Sequence, residues 1–328
     1  MVDMPVVYTY YGTVVGYPES KVRFTVSDDA ILGWIEVDDV KYIVSQSGSV
    51  KINEETKVLH TVYRNIDKEI AGIPVGADDV VEVPHDEYLI DNIVSSTSTM
   101  TILSTTTVDL LAVYDTEFSN EFASPGTEIY NMIADVNDAY GVSDISVNLD
   151  IDYYYYDSDL SSTSSSNLLY EFKNENSALR NSQNCDLAFL FSGKEFSDVP
   201  IGRAFQYTGS STEGYAIGQM VNAPGYVYDG TFDERCILIA HEIGHNFGAR
   251  HQIDTAPPSY AKAYNWKYLG YYDRYTSMWY PYKGIGILSG MQLEFSSDTN
   301  HGDSTHDNAR RISETKSGRV PQQLTTFK

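Results

Sequence analysis

The chain has 328 residues, 42% of them hydrophobic and 13% aromatic with 27 tyrosines, enough to build sizeable cores and too apolar for a disordered protein. Lys and Arg number 22 against 46 Asp and Glu, and the resulting charge of −24 repels phosphate backbones and anionic lipid, which argues against a nucleic-acid partner. No apolar run reaches the 18 residues or more of a membrane-spanning helix. The acidity reads as solubility or adaptation to a salty environment. Acidic loops are able to hold calcium, but no EF-hand spacing supports it.

In chain order, Val6 to Val62 alternates apolar and polar residues, with segments such as Lys21–Val26 and Ile31–Val37 bounded by Asp and Gly. This predicts a small antiparallel, β-rich domain over residues 1–95. Ser95 to Thr107 is dominated by Ser and Thr, a linker or processing region over 96–107. From residue 108 to 328 strand and helix patterns alternate, predicting an α/β domain with a mixed, mostly parallel sheet. Its expected elements are a strand Val108–Tyr114, a helix Glu128–Tyr140 ended by Gly141, and a strand Ile145–Tyr156. A helix Leu168–Leu179, a strand Asp186–Phe191, and strands at Gly202–Tyr207 and Tyr215–Val221 follow, with a closing helix over Asp303–Ser317.

The chemistry is concentrated in His241-Glu242-Ile243-Gly244-His245-Asn246-Phe247-Gly248-Ala249-Arg250-His251, which reads HExxHxxGxxH. Residues four apart share a helix face, so His241 and His245 can aim their imidazoles at one metal ion. Gly248 can leave the helix through a left-handed turn and bring His251 back as a third nitrogen ligand. Three histidines leave the fourth position of a tetrahedral zinc ion open for water, and Glu242 is placed beside that water as a general base. Thr231 and Glu234 form a capping box ahead of the helix. On the face opposite His241, Phe232, Cys236, Ile239 and Ile243 point to a core. Whether Cys236 pairs with Cys185, the one other cysteine, stays open at this point.

The motif resembles that of the metzincin zinc endopeptidases, and its Asn246-Phe247-Gly248-Ala249 filling is most similar to the reprolysin (adamalysin) branch. That resemblance implies an α/β (α+β) zincin catalytic domain cleaving protein or peptide substrates, with one catalytic Zn2+. It implies Met278, in Ser277-Met278-Trp279-Tyr280, as the apolar floor of a Met-turn. Tyr280 matches the M-x-Y pattern of astacins and serralysins, in which the tyrosine ligates zinc and steadies the oxyanion. The segment matching Gly202, Arg203, Ala204 and Phe205 is an antiparallel edge strand that holds extended substrate, and Leu293–Ser297 borders the pocket beyond the scissile bond. The runs Gly12–Val22 and Tyr42–Val44 resemble the propeptide of reprolysin-type zymogens.

The chain departs from the family in three places. No cysteine precedes Cys185, so a prosegment thiolate cannot cap the metal, and a latent form needs another ligand (an Asp or His near Asp78 to Asp86) or steric cover. Gln252 stands where animal members carry the Asp that ties down the closing helix. Thr208-Gly209-Ser210-Ser211 replaces a disulfide cysteine. His301 and His306 read as surface residues. The expected protein is a secreted or cell-surface peptidase with its export signal removed, because Met1-Val-Asp-Met-Pro lacks the features of a signal peptide; a cytoplasmic site and the oligomeric state stay open. Two rival readings accompany it: a silent zinc-containing binding module, and an active protease whose N-terminal domain recruits substrate.

Overall fold

The computed structural model describes residues 5–65, 79–81, 105–209, 213–223, 228–270, 272–280 and 289–319. The first five strands, β1 (Tyr8–Val14), β2 (Tyr17–Val26), β3 (Ile31–Val37), β4 (Val40–Ile52) and β5 (Glu55–Arg64), form one antiparallel sheet in chain order. The alternation in sequence sorts this sheet into two faces. Arg23, Thr25, Leu32, Trp34 and Ile43 are buried, while Tyr8, Tyr10, Val15 and Val62 face out.

A second, six-stranded sheet follows, built on β7 (Thr106–Tyr114), β8 (Val147–Tyr156) and β9 (Leu187–Ser192). Between β7 and β8 come α1 (Thr116–Glu121) and α2 (Pro125–Val142), and α3 (Ser165–Ser182) joins β8 to β9. β10 (Gly202–Phe205), β11 (Tyr215–Gln219) and the two-residue β6 (Val80–Val81) complete the order β6-β10-β11-β9-β7-β8. β8, β7, β9 and β11 are parallel; β10 runs antiparallel to β11. Along β7 and β9 successive residues feed opposite faces. Leu110, Ala112, Leu187, Phe189 and Phe191 enter the layer under α2, while Leu111, Val113, Ala188 and Leu190 enter the layer with Leu168, Leu169 and Phe172 of α3. That two-sided burial explains why these strands read as continuous apolar runs.

α4 (Phe232–Asn246) lies in the α2 layer, with Phe232, Cys236, Ile239 and Ile243 all buried. Cys236 and Cys185 are free thiols in separate cores, so no disulfide links them. A small sheet of β12 (Asn265–Tyr268), β13 (Tyr272–Tyr275) and β14 (Ser289–Met291) precedes α5 (Asn308–Arg319).

Several expected boundaries move. β7 begins at Thr106, inside the stretch expected to be linker, because Thr106 and Thr107 pair with Val147 and Asn148 of β8; Ser95 to Ser104 lie outside the described residues. Gly141 does not end its helix. α2 continues through it to Val142 and is closed at Ser143, whose N–H and hydroxyl both donate to the Ala139 carbonyl. α5 begins at Asn308, where the Asp307 carboxylate accepts from the Arg310 N–H.

Candidate metal centre and active site

α4 starts on the expected cap, where the Glu234 carboxylate accepts from both the Thr231 N–H and its hydroxyl at 2.8 Å. His241 and His245 lie one helical turn apart on α4, and Gly248, at φ +86°, turns the chain left-handed to return His251. Any Cβ at Gly248 would also meet the Arg311 guanidinium of α5 at 2.8 Å. The result is a triangle of imidazole Nε2 atoms with sides of 3.1, 3.1 and 3.2 Å. All three rings are buried.

Their orientation is set from behind. His241 Nδ1–H donates to the Ser277 carbonyl at 2.7 Å and His245 Nδ1–H to the Ala249 carbonyl at 3.0 Å, which turns both Nε2 lone pairs inward. Burial, reinforced by His251, lowers His245 well below the usual imidazole range, leaving a neutral ring fit to ligate. The His251 N–H donates to Asp254 at 3.0 Å. α5 pins the returning loop: Asn308 exchanges two hydrogen bonds with the Arg250 backbone, and the Thr315 hydroxyl donates to the Phe247 carbonyl. The tie to the closing helix that Gln252 put in doubt therefore exists, made by Asn308 and Thr315. Gln252 instead makes a two-way amide pair with the Tyr280 backbone, at 2.8 and 2.6 Å.

The fourth corner belongs to Asp79. Its Oδ2 lies 3.2 Å from His241 Nε2 and 3.4 Å from His251 Nε2, and its Oδ1 lies 3.8 Å from His245 Nε2. A tetrahedral zinc site with bonds of about 2.0–2.1 Å has ligand-to-ligand edges of about 3.3 Å, so the three imidazoles and this carboxylate fit zinc in size and donor type. The position expected to be open for water is filled by the chain itself. Asp79 falls within the Asp78–Asp86 stretch, where no local pattern sets it apart from Asp78.

Val80 and Val81 form β6, parallel to β10, with Ala204 opposite Val80 and Phe205 opposite Val81. The Ala204 N–H donates to the Asp79 carbonyl at 2.9 Å and the Gln206 N–H to the Val81 carbonyl at 3.0 Å. The resemblance implied an antiparallel edge strand at Gly202–Phe205; the segment is antiparallel to β11, but β6 covers its outer side.

Glu242 lies against β10. A Cβ on Gly202 would come within 2.3 Å of Glu242 Oε1, so glycine lets β10 pass over this carboxylate. Both Glu242 oxygens are buried and lack a hydrogen-bond partner among the described residues. Burial, then the Asp79 charge, raises its carboxyl well above the usual range, and Arg203 on β10 offsets part of the rise. A bound dication would act in the same direction as Arg203.

The Met278 side chain is fully buried against α4, its Sδ 2.5 Å from where a Gly244 Cβ would sit, between the first two histidines in sequence. Met291 is buried too, but at the end of β14 in the small sheet. The Tyr280 ring lies 5.9 Å from that of His251 at an angle of 39°. His301 stacks on Trp266 and pairs with Glu294, and His306 pairs with Asp303, all away from the four-residue cluster.

A model of metallopeptidase family M12, Reprolysin_5, matches residues 104–280, more than half of the chain. The chain belongs to metallopeptidase family M12. Members of this family are zinc-dependent metallopeptidases, and the buried Asp/His3 group of this chain is able to bind such a metal. No curated protein matches the M12 chain. Among solved structures it is similar to a chain in a chaperone-substrate complex, at 12% identity and a TM-score of 0.48, covering 91% of this chain and 39% of that one. It is also similar to metalloproteinase-II from Bacteroides fragilis, at 14% identity and a TM-score of 0.49, covering 94% of this chain and 82% of that one. No helix of the M12 chain, among the described residues, is long and apolar enough to cross a membrane.

Proposed function

We propose that this M12 chain is a latent zinc endopeptidase, of reprolysin-like type, that closes its own site with Asp79. The observation carrying the reading is the Asp79 carboxylate at the fourth corner of the imidazole set, with the next two residues paired to β10. An extended peptide added to that same strand is the usual way a protease holds substrate without regard to side chains. Asp79 and β6 therefore occupy both the place of the attacking water and the place of the substrate backbone. In this reading residues 1–95 are a propeptide domain, 96–107 the processing region and 108–328 the catalytic domain of a secreted or cell-surface protein.

Once Asp79 is withdrawn, His241, His245 and His251 would hold the ion, which would supply the Lewis acidity that makes a water nucleophilic and a carbonyl electrophilic. Glu242, with two unpartnered oxygens, accepts the proton of the attacking water and delivers it to the leaving amine. Gly202, Arg203, Ala204 and Phe205 present backbone groups to the substrate, with glycine at the point where β10 crosses the general base. Tyr280 supplies a phenol donor to the developing oxyanion from its place beside His251, and Met278 forms the floor.

The test is hydrolysis of a quenched peptide library by the uncut, full-length Asp79→Ala chain. Cleavage should rise at least tenfold over the parent, vanish with a chelator and return with zinc. An uncut Asp79→Ala chain that holds zinc yet is as inactive as its parent would sink the proposal. The self-occupied β10 speaks against an N-terminal domain that recruits substrate, and the unpartnered Glu242 speaks against a silent module.

A further inference from the structure

Asp79 and β6 belong to the same covalent fragment as the five-stranded sheet, because both precede residues 96–107. A cut in that region leaves the inhibiting carboxylate attached to the sheet. What the sheet does after the cut therefore decides whether the site opens.

The sheet is held on the peptidase layer by a buried knot of charge. Arg23 on β2, fully buried, places Nη1 2.7 Å from Asp135 Oδ1 and 3.0 Å from Asp138 Oδ2, both on α2. The Trp34 indole N–H on β3 donates to the same Asp135 oxygen at 2.9 Å. Lys41 on β4 reaches the other Asp135 oxygen at 3.5 Å and Asp233, on the first turn of α4, at 3.1 Å. Both cations lie over the Trp34 ring, at 5.5 and 5.0 Å. The carboxylates of α2 and α4 would be left without these cations if the sheet departed, and Arg23 would be left without its anions.

Two further observations extend the attachment beyond electrostatics. Trp34 and Ile43 of the sheet belong to the same apolar core as Ile129, Met132 and Cys236, so sheet and helices pack directly on one another there. Gln46 of β4 accepts from the Ser124 N–H and donates to the Ser124 carbonyl and to Glu128, capping the start of α2 from outside. A shared apolar core, buried ion pairs and hydrogen bonds from the sheet to a helix start are features of a lasting interface rather than of a passing contact.

We infer that cutting the chain in residues 96–107 does not release the sheet: the two fragments stay together through the Arg23–Trp34–Lys41 grip on Asp135, and the nicked protein remains latent. Opening the site takes a second event, either loss of the sheet or a cut between it and Asp79. The inference presupposes the processing region proposed above, and its first readout is independent of peptidase activity.

The experiment places a recognition sequence for a site-specific protease within residues 95–104 of the full chain carrying Glu242→Ala, which cannot digest itself. After cutting, size-exclusion chromatography at micromolar concentration should return both fragments in one peak, with the blue-shifted emission of a buried Trp34 retained. Separation of the fragments at that concentration overturns the inference. Asp135→Asn in the same chain should weaken the association by about a hundredfold or more. Lys41→Met, at a partly exposed position, serves if Asp135→Asn fails to fold. Full co-elution with both variants would overturn the assignment of the grip to this knot. With Glu242 restored, the nicked parent should cleave peptide no faster than the uncut chain, and the nicked Lys41→Met protein should cleave faster. A nicked parent at full activity overturns the inference even if the peptidase reading stands, whereas inactivity of all chains, Asp79→Ala included, tells against the peptidase reading alone.

Discussion

At Asp79–Val81 the N-terminal part of the chain touches the peptidase layer through backbone groups and a single carboxylate; at β2–β4 it does so through side chains of opposite charge buried against a tryptophan. The first contact is generic. Any extended segment can pair with β10, and any suitably placed carboxylate can cap three imidazoles. The second is specific, since Arg23 on β2 and Lys41 on β4, on either side of β3, together reach Asp135, Asp138 and Asp233. The difference teaches a division of labour. On the proposed reading, the specific contact delivers the segment, and the generic contact blocks the chemistry in the same way that substrate would engage it.

Four measurements would break or sharpen that division. The largest effect belongs to Glu242→Ala in the Asp79→Ala chain, where peptide cleavage should fall by about 10²–10⁴-fold while zinc content stays stoichiometric by atomic absorption. Retained hydrolysis would remove Glu242 from the mechanism. Next, Arg23→Met should destabilise the uncut chain by about 3–5 kcal/mol in denaturant unfolding, because it strands buried Asp135 and half-buried Asp138. A loss under 1 kcal/mol would mean that the grip is apolar and the charges incidental.

Acid provides a third measurement on the same knot. Burial alone would raise the Asp135 carboxyl, but Arg23 and then Lys41 outweigh it and hold the group below its ordinary range. A carboxyl depressed in the fold contributes stability in full above its unfolded pKa of about 3.9, and that contribution fades as pH drops through the lower folded value. The stability gap between the parent and Asp135→Asn should therefore be constant from pH 7 to about 4 and narrow below that. A gap that widens in acid would contradict the assignment. The smallest effect is expected at Asn308→Ala, which frees the Arg250 backbone ahead of His251; a cost of about 1–3 kcal/mol should appear in stability, with zinc affinity weakened and sheet association untouched.

Much of the peptidase layer was legible locally. The spacing of His241, His245, Gly248 and His251 is a statement about one helix and one turn, and such statements need only the 3.6-residue period and the conformational freedom of glycine. The strands β7 and β9 and the helices α2 and α3 were equally visible in their periodicity, with ends displaced by a few residues. Gly141 misled because glycine is a helix terminator only where the backbone turns left-handed, and at Gly141 it does not.

What sequence could not decide is what comes together from far apart. The chain announces three imidazoles converging on a metal, because their geometry is closed within eleven residues, and it announces a β-rich start without a cysteine able to cap them. That Asp79, 162 positions before His241, is the carboxylate that meets them follows only from the tertiary structure. So does the meeting of Arg23 with Asp135 and the covering of β10 by Val80 and Val81. Local patterns record the short-range sterics and hydrogen bonding of one element. Pairing between distant elements depends on how sheets and helices stack, and many carboxylates of this acidic chain satisfy any local rule equally well.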